Sequence, residues 1–129
     1  MKFYMEAIGM QHVSGFDIGA DLGKDLGLSD GIAFRVEVLQ LGTDEDATQW
    51  KLMTFGDRAE GQENSFIHDR VGMQYITVYV RDLNDAVMRL DAADIPMLGQ
   101  TPAPIPDDNY FVLVQDPDGN FVEIIGPMP

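Results

Sequence analysis

Two segments in the second half of this chain set its architecture: Val71-Gly-Met-Gln-Tyr-Ile-Thr-Val-Tyr-Val-Arg-Asp-Leu-Asn-Asp-Ala-Val87 and Asp116-Pro-Asp-Gly-Asn-Phe-Val-Glu-Ile-Ile-Gly-Pro127. Within the first, β-branched and aromatic residues alternate over Tyr75–Val80 and predict a strand. Asp82 is a typical helix N-cap, and an apolar stripe at helical spacing follows it. The second segment predicts a hairpin, because Asp-Pro-Asp-Gly suits a type I turn.

One carboxylate stands out in the second segment. Glu123 lies between apolar neighbours in the last predicted strand. An ionised carboxylate that faces a dry core is strongly unfavourable, unless its pKa changes enough to neutralise it. We therefore expect Glu123 to face solvent, a pairing partner, a metal ion or a ligand pocket.

The first half of the chain predicts a helix followed by three strands. Apolar residues at helical spacing, closed by Gly9, predict a helix over residues 1–9. Residues 10–30 are rich in glycine and aspartate and predict a short strand followed by a loop. Residues 32–41 alternate over much of their length, and residues 49–55 are their predicted hairpin partner.

The two halves form a weak internal repeat, since both contain a helix followed by three strands and only the second has an opening strand. Polar residues without periodicity over 57–71 predict a linker between them. We therefore predict a single domain over residues 1–129, with module one at 1–56 and module two at 72–129. Three prolines within residues 99–109 predict a loop or an edge segment there.

Composition limits the possible partners. Eight basic residues against 22 acidic ones give a formal charge of −14, which excludes nucleic acid and anionic membrane, since both require a basic face. No apolar run is long enough to span a bilayer, and the N-terminus lacks a signal-peptide pattern, so we expect a cytoplasmic protein. The absence of cysteine excludes thiolate metal sites and cysteine nucleophiles.

The second half resembles the vicinal oxygen chelate superfamily, which includes glyoxalases, bleomycin-resistance proteins and extradiol dioxygenases. The match rests on the strand Tyr75–Val80 running into Arg81-Asp82-Leu83, on the helix with Ala86 and Leu90, and on the segment Asp116–Glu123. The first half looks like the other module of the family. The resemblance implies an α+β fold of two βαβββ-type modules, whose curved mixed sheets form an open cup, with module one lacking its opening strand.

In metal-dependent members of that family, ligands from the first and last strand of each module hold a divalent ion, a Lewis acid for the substrate. At the corresponding positions this chain keeps Glu123, has Tyr75 in place of a histidine and Lys51 in place of a carboxylate, and lacks the opening strand of module one. A neutral tyrosine is a poor ligand for such an ion, and an ammonium group repels it. We predict no metal and no other cofactor.

The site residues predicted on this basis are Glu123 as catalytic base, and Tyr75, Thr77, Tyr79, Lys51 and Glu123 as ligand-binding residues. Glu123 could instead form a structural ion pair with Lys51 or Arg35. The alternative interpretation of Tyr75 and Tyr79 is aromatic packing. His12 and His68 lie outside the family's ligand positions and are interpreted as surface or packing residues.

The leading functional hypothesis is a glyoxalase-like protein that binds a small organic molecule in its cup. If it is an enzyme, we expect lyase or isomerase chemistry by proton transfer next to a carbonyl. The alternatives are a non-catalytic binding or sequestering protein of the resistance type, and a structural protein whose cup is filled by its own side chains. The missing strand leaves an exposed sheet edge, for which there are three explanations. A second subunit covers the edge, the edge belongs to an enlarged pocket, or the given sequence begins downstream of the true start. We expect the first, a homodimer.

Overall fold

The strands of this protein form two open sheets, each in its own compact unit. The computed structural model describes residues 1–56 and 64–129. The first unit comprises Met1–Met5 and Gly9–Glu60, and the second comprises Glu6–Ile8 and Gly61–Pro129. Mixed α+β composition with one three-stranded and one four-stranded sheet confirms the predicted fold class. A single domain over residues 1–129 stays a prediction.

The first sheet has the order β1-β2-β3 with antiparallel neighbours throughout. Its elements follow the N-terminal helix, which has π-type hydrogen bonds and ends at the left-handed Gly9, as predicted. The bounds are Phe3–Ile8 for this helix, Gln11–Ile18 for β1, Ala20–Asp25 for helix α1, Phe34–Gln40 for β2 and Gln49–Thr54 for β3.

Helix α1 corrects the prediction of a loop after the first strand. It has six residues and no side-chain N-cap, so its own sequence stabilises it little. A Cβ atom on Gly23 would lie 2.8 Å from Ser29 Oγ and 3.1 Å from Phe34 Cε1. Glycine here is therefore a packing residue that lets β2 approach the helix, rather than a sign of an irregular loop.

The two faces of β2 differ as its alternating sequence predicts. Phe34, Val36 and Val38 are buried and form a core cluster, against which Ile18 and Phe55 pack. Arg35 and Glu37 occupy the other face, where β3 presents Trp50 next to Leu39. The Trp50 ring contacts Tyr4 of the N-terminal helix, with ring centroids 5.8 Å apart.

The second sheet has the order β4-β7-β6-β5, in which β4 runs parallel to β7 and the other pairs are antiparallel. The bounds are Ile67–Asp69 for a single 3₁₀ turn, Tyr75–Tyr79 for β4, Leu83–Ala92 for helix α2, Ala103–Ile105 for β5, Asn109–Gln115 for β6 and Phe121–Gly126 for β7. The predicted order of strand, helix and hairpin is confirmed, and β5 is the proline-containing edge strand.

Local sequence explains these boundaries. Asp82 Oδ1 accepts the backbone N–H of Asn84 at 2.9 Å and caps α2. In the β6–β7 turn, Asp116 Oδ1 accepts the backbone N–H groups of Asp118 and Asn120 at 3.0 and 2.8 Å. Helix α2 and one face of the sheet supply the buried core of this unit, which comprises Val78, Leu83, Ala86, Leu90, Val112, Val114, Val122 and Ile124.

The predicted linker 57–71 is described only in part. Residues 57–63 lie outside the described residues, so its role as a linker stays a prediction. Residues 64–71 contain the 3₁₀ turn and contribute to the site below. None of the helices in the described ranges has the length and apolar character that crossing a membrane requires.

Candidate functional site

Tyr75, Thr77 and Tyr79 share one face of β4, because side chains alternate along a strand. They are exposed, Tyr75 by 49% and Tyr79 by 72%. The register with β7 places Thr77 directly beside Glu123. Four of the five predicted ligand-binding residues are thus brought to one face of the second sheet, opposite the face that packs on α2.

The carboxylate of Glu123 has a hydrogen-bonding partner. The Thr77 hydroxyl donates a short hydrogen bond to Glu123 Oε2 across the two strands. The other oxygen, Oε1, has no partner among the described residues. Glu123 is half-buried. The threonine orients its carboxylate, and the second oxygen can accept a hydrogen bond from a further donor.

A cavity of about 430 Å³ lies in the same unit. Its walls come from three parts of the chain: residues 65–68, the loop residues Leu98, Gly99 and Thr101, and the strand residues Phe111, Leu113 and Phe121. The last three share the Glu123 face of the sheet, since Leu113 is the cross-strand partner of Glu123 and Phe111 the partner of Ile125. The cavity thus occupies the face that carries the predicted site.

Glu123 is not one of the residues that line this cavity, but it neighbours two that do. Cross-strand neighbours have Cβ atoms about 4.5–5.5 Å apart, which is the relation between Leu113 and Glu123. Phe121 precedes Glu123 by two residues and therefore points to the same side of β7. Two cavity-lining side chains flank the carboxylate, so the pocket combines an apolar interior with one anionic group beside it.

The outer wall of the cavity is fixed by polar contacts. The Asp69 carboxylate accepts the backbone N–H groups of Ser65 and Phe66 at 3.0 and 2.9 Å. Gln115 Nε2 donates to the carbonyl of Asn64 at 2.5 Å, tying this segment to β6. The Asp69 bonds therefore fix the conformation of the segment itself, and the Gln115 bond attaches it to the sheet.

The wall also carries a pair of stacked rings. The Phe66 ring and the His68 imidazole have centroids 5.6 Å apart and planes inclined by 10°. Sequence reasoning treated His68 as a surface or packing residue and missed this segment altogether. The available signal was Phe66-Ile67, two adjacent large apolar residues in an otherwise polar stretch.

The residues that line the cavity include no lysine, arginine, aspartate or glutamate. Over residues 64–129 the chain carries ten acidic side chains against three arginines. With no cation in the lining and Glu123 next to two lining residues, the cavity offers an anionic ligand no favourable charge partner.

A second polar cluster lies in the first unit. Arg35 Nε donates to Glu37 Oε1 at 2.6 Å, and Arg35 NH1 donates to Asp17 Oδ1 at 3.3 Å. His12 Nε2 donates to Glu37 Oε2 at 2.7 Å. These bonds, that from Arg35 first and that from His12 next, lower the pKa of Glu37 below its ordinary value. The predicted alternative pairing of Arg35 with Glu123, which belongs to the second unit, stays a prediction.

Lys51 belongs to the first unit, on β3, where its side chain is exposed. The β2–β3 register pairs it with Val38, so it lies on the face opposite to Arg35 and Glu37. Glu123 belongs to the second unit. The pairing of Lys51 with Glu123 therefore stays a prediction.

The residues at the family's ligand positions do not fit a divalent ion. Beside Glu123 stand a neutral phenol, Tyr75, and a hydroxyl, Thr77, that already donates to the carboxylate. Within residues 1–56 and 64–129, no group of three or more histidine, aspartate or glutamate side chains could hold a metal. A carboxylate with two hydroxyls lacks the charge and the nitrogen donors that such sites use.

Comparison with known proteins agrees with the topology. The sequence profile of the Glyoxalase/Bleomycin resistance protein/Dioxygenase superfamily matches residues 1–124, nearly the whole chain. The chain belongs to this superfamily. The predicted resemblance is thereby confirmed. No curated protein matches the sequence closely enough to add a more specific assignment.

Several solved structures share the fold. A glyoxalase family protein from Bacillus cereus is 16% identical, with a TM-score of 0.68 over 97% of this chain and 83% of its own. The trypanothione-dependent glyoxalase I of Leishmania major is 19% identical, with a TM-score of 0.64 over 97% and 74%. TnmS3, an antibiotic-binding protein from Streptomyces, is 18% identical, with a TM-score of 0.57 over 98% and 82%. At these identities the likeness concerns the fold alone.

Proposed function

We propose that this superfamily member binds a small organic molecule in the cavity beside Glu123. The observation that carries the proposal is an apolar cavity of about 430 Å³ on the sheet face that also bears Glu123, Thr77 and the two tyrosines. Ligand pockets typically have volumes of roughly 300–1,000 Å³ and combine apolar walls with a few placed polar groups. Both properties hold at this site.

In the catalytic form of the proposal, Glu123 is a general base. It takes a proton from a carbon next to the carbonyl of the ligand, and the electron pair moves to the carbonyl oxygen as an enolate. Return of the proton to another atom of the ligand gives an isomer. If the carbon beyond carries a leaving group, the enolate pair expels it, the leaving group takes the proton from Glu123, and the product is that of a lyase. The Thr77 hydroxyl holds the carboxylate, and a hydroxyl of Tyr75 or Tyr79 would stabilise the enolate oxygen.

The second candidate is a protein that binds and sequesters its ligand without turnover. The specific observation in its favour is the predominantly apolar wall, in which Phe66 and Phe111 offer surface for a planar ligand. The antibiotic-binding protein TnmS3 has the same fold, so the fold is compatible with this use.

The decisive experiment compares affinity and turnover in Glu123→Gln. A thermal-shift screen first identifies a ligand, which at a hundredfold excess over its Kd stabilises the fold by about 2.7 kcal/mol. If Glu123 is a base, the substitution retains affinity within a few-fold and lowers kcat by about 10²–10⁴-fold. If the protein sequesters its ligand, neither form turns it over. The function is contradicted if cavity variants such as Leu113→Ala bind the ligand as tightly as the native chain.

We further propose that the site works without the divalent ion of metal-dependent relatives. The support is the donor chemistry of Tyr75, Thr77 and Glu123, which offers one carboxylate and no imidazole. Elemental analysis of the purified protein is expected to find less than one divalent ion per chain after dialysis. A stoichiometric ion that is lost in Glu123→Gln would overturn this proposal.

We also propose that the protein is a homodimer and is located in the cytoplasm. Support for a dimer comes from β3: within residues 1–56 and 64–129, its one strand neighbour is β2. Exposed strand edges readily pair with another chain. Light scattering at micromolar concentration is expected to give the mass of two chains, and a monomer would contradict it. Fractionation of the source cell tests the location.

A further inference from the structure

We infer that the cavity takes a flat apolar molecule that carries a protonated amine, with the amine placed at Glu123. This inference rests on the proposed function, because it specifies the ligand of the same site. It follows from two separate properties, the shape and chemistry of the walls and the charge at the cavity edge.

The walls favour a flat ring system. Phe66 and His68 both line the cavity, and their rings are stacked with planes inclined by 10°. Phe111 and Phe121 belong to the lining from the sheet. Aromatic rings pack well against other rings in offset-stacked or edge-to-face arrangements. A rigid aromatic body therefore suits this space better than a flexible polar chain.

The cavity edge favours a cation. Thr77 engages Oε2 of Glu123, which leaves Oε1 as an acceptor without a partner among the described residues. A protonated amine donates a charge-assisted hydrogen bond to such an oxygen, the stronger class of hydrogen bond. An uncharged hydroxyl could donate as well, with a smaller gain.

The same edge disfavours an anion. A ligand carboxylate or phosphate beside Glu123 would meet like charge, and the cavity lining offers no lysine or arginine to compensate. Ten acidic side chains against three arginines over residues 64–129 add an unfavourable background. The charge of the ligand head group is therefore the property that the site selects.

The test uses three probes that share one ring and differ in charge: naphthalen-2-ylmethanamine, naphthalen-2-ylmethanol and naphthalene-2-carboxylate. Calorimetry with the native chain at neutral pH is expected to give a Kd for the amine about tenfold lower than for the alcohol, since a hydrogen bond to a charged group is worth roughly that factor. The carboxylate is expected to bind more weakly than the alcohol.

Two variants distinguish the effect of the Glu123 charge on ligand binding from the effect of the overall charge of the protein. Glu123→Gln removes one negative charge at the cavity and is expected to reduce the preference for the amine to about two- or threefold, as expected for a neutral hydrogen bond. Asp118→Asn removes the same charge at an exposed position of the β6–β7 turn and is expected to keep the preference. Melting curves of both variants establish that they fold.

The outcomes distinguish the inference from the function on which it rests. Equal binding of all three probes overturns the inference and leaves a small-molecule site in place. An amine preference that persists in Glu123→Gln overturns it too, because the preference then comes from the overall charge. No binding of any probe to the native chain contradicts both the inference and an aromatic-lined ligand site.

Discussion

Replacing Phe121 with alanine is expected to lower the free energy of unfolding by about 3–5 kcal/mol, the usual cost of truncating a buried phenylalanine. Phe121 is 1% exposed and is the largest of the fully buried side chains. It is also the first residue of β7, where its backbone N–H donates to Gln74 at 3.2 Å. Truncation removes the ring and leaves a void next to the ligand cavity. Urea denaturation followed by circular dichroism measures the loss.

Phe66→Ala is the matched control, since both rings line the same cavity. Phe66 is 62% exposed, so its truncation is expected to change the free energy of unfolding by about 0.5 kcal/mol or less, as is typical of surface positions. It should weaken ligand binding instead, because it removes half of the stacked pair. Similar stability losses in the two variants would contradict the burial on which this contrast rests.

The fold could be predicted from local sequence because its signals are short-range. The alternation over Tyr75–Val80, the capping aspartate at 82 and the Asp-Pro-Asp-Gly turn each specify one element, and each is found where the sequence placed it. Helix α1 could not be predicted in this way. Its glycine is required by contact with Phe34, eleven residues away, and periodicity within a segment carries no information about such a contact.

The candidate site, like the fold, could be predicted from the sequence only in part. Alternation along β4 and the family pattern assigned Thr77 and Glu123 to the same site, and the β4–β7 register places them side by side; their hydrogen bond was not predicted. The cavity was not predictable, because its walls come from three segments separated by up to about fifty residues in sequence. The partners of Arg35 were also missed: Glu37 is its neighbour on the same face of β2, and Asp17 is placed beside it by the β1–β2 register.

The charged cluster of the first unit shows why register decides such pairings. Gly15 lies opposite Glu37 in the β1–β2 ladder. A Cβ atom at this position would come within 2.2 Å of Glu37 Oε2 and 2.6 Å of Arg35 NH2. The glycine therefore gives the two side chains the space in which they meet on the surface of the sheet. From the sequence alone, this glycine is indistinguishable from a turn residue.

Replacing Gly126 with alanine is expected to destabilise the second unit by about 1–3 kcal/mol or more, the usual range for overpacking a tight site. A Cβ atom there would lie 2.5 Å from the Val80 carbonyl oxygen and 2.8 Å from Val80 Cγ2. The backbone at Val80 has little freedom to move away, because its N–H donates to the carbonyl of Ile125 at 2.8 Å. Relief of the clash must therefore loosen the end of the β4–β7 ladder.

The same change is expected to reach the site, because Thr77 and Glu123 are held together by that ladder. Gly19→Ala is the control: Gly19 has φ −68° and nothing within 4 Å of an added Cβ. Alanine restricts the unfolded chain, which raises the free energy of unfolding by about 0.4–1 kcal/mol. This gain roughly offsets the loss of glycine, which is favoured at the N-cap of a helix. Thermal denaturation should separate the two variants clearly. Equal melting temperatures would mean that β4 and β7 can part at Val80 without cost, and that the pairing of Thr77 with Glu123 does not depend on this end of the ladder.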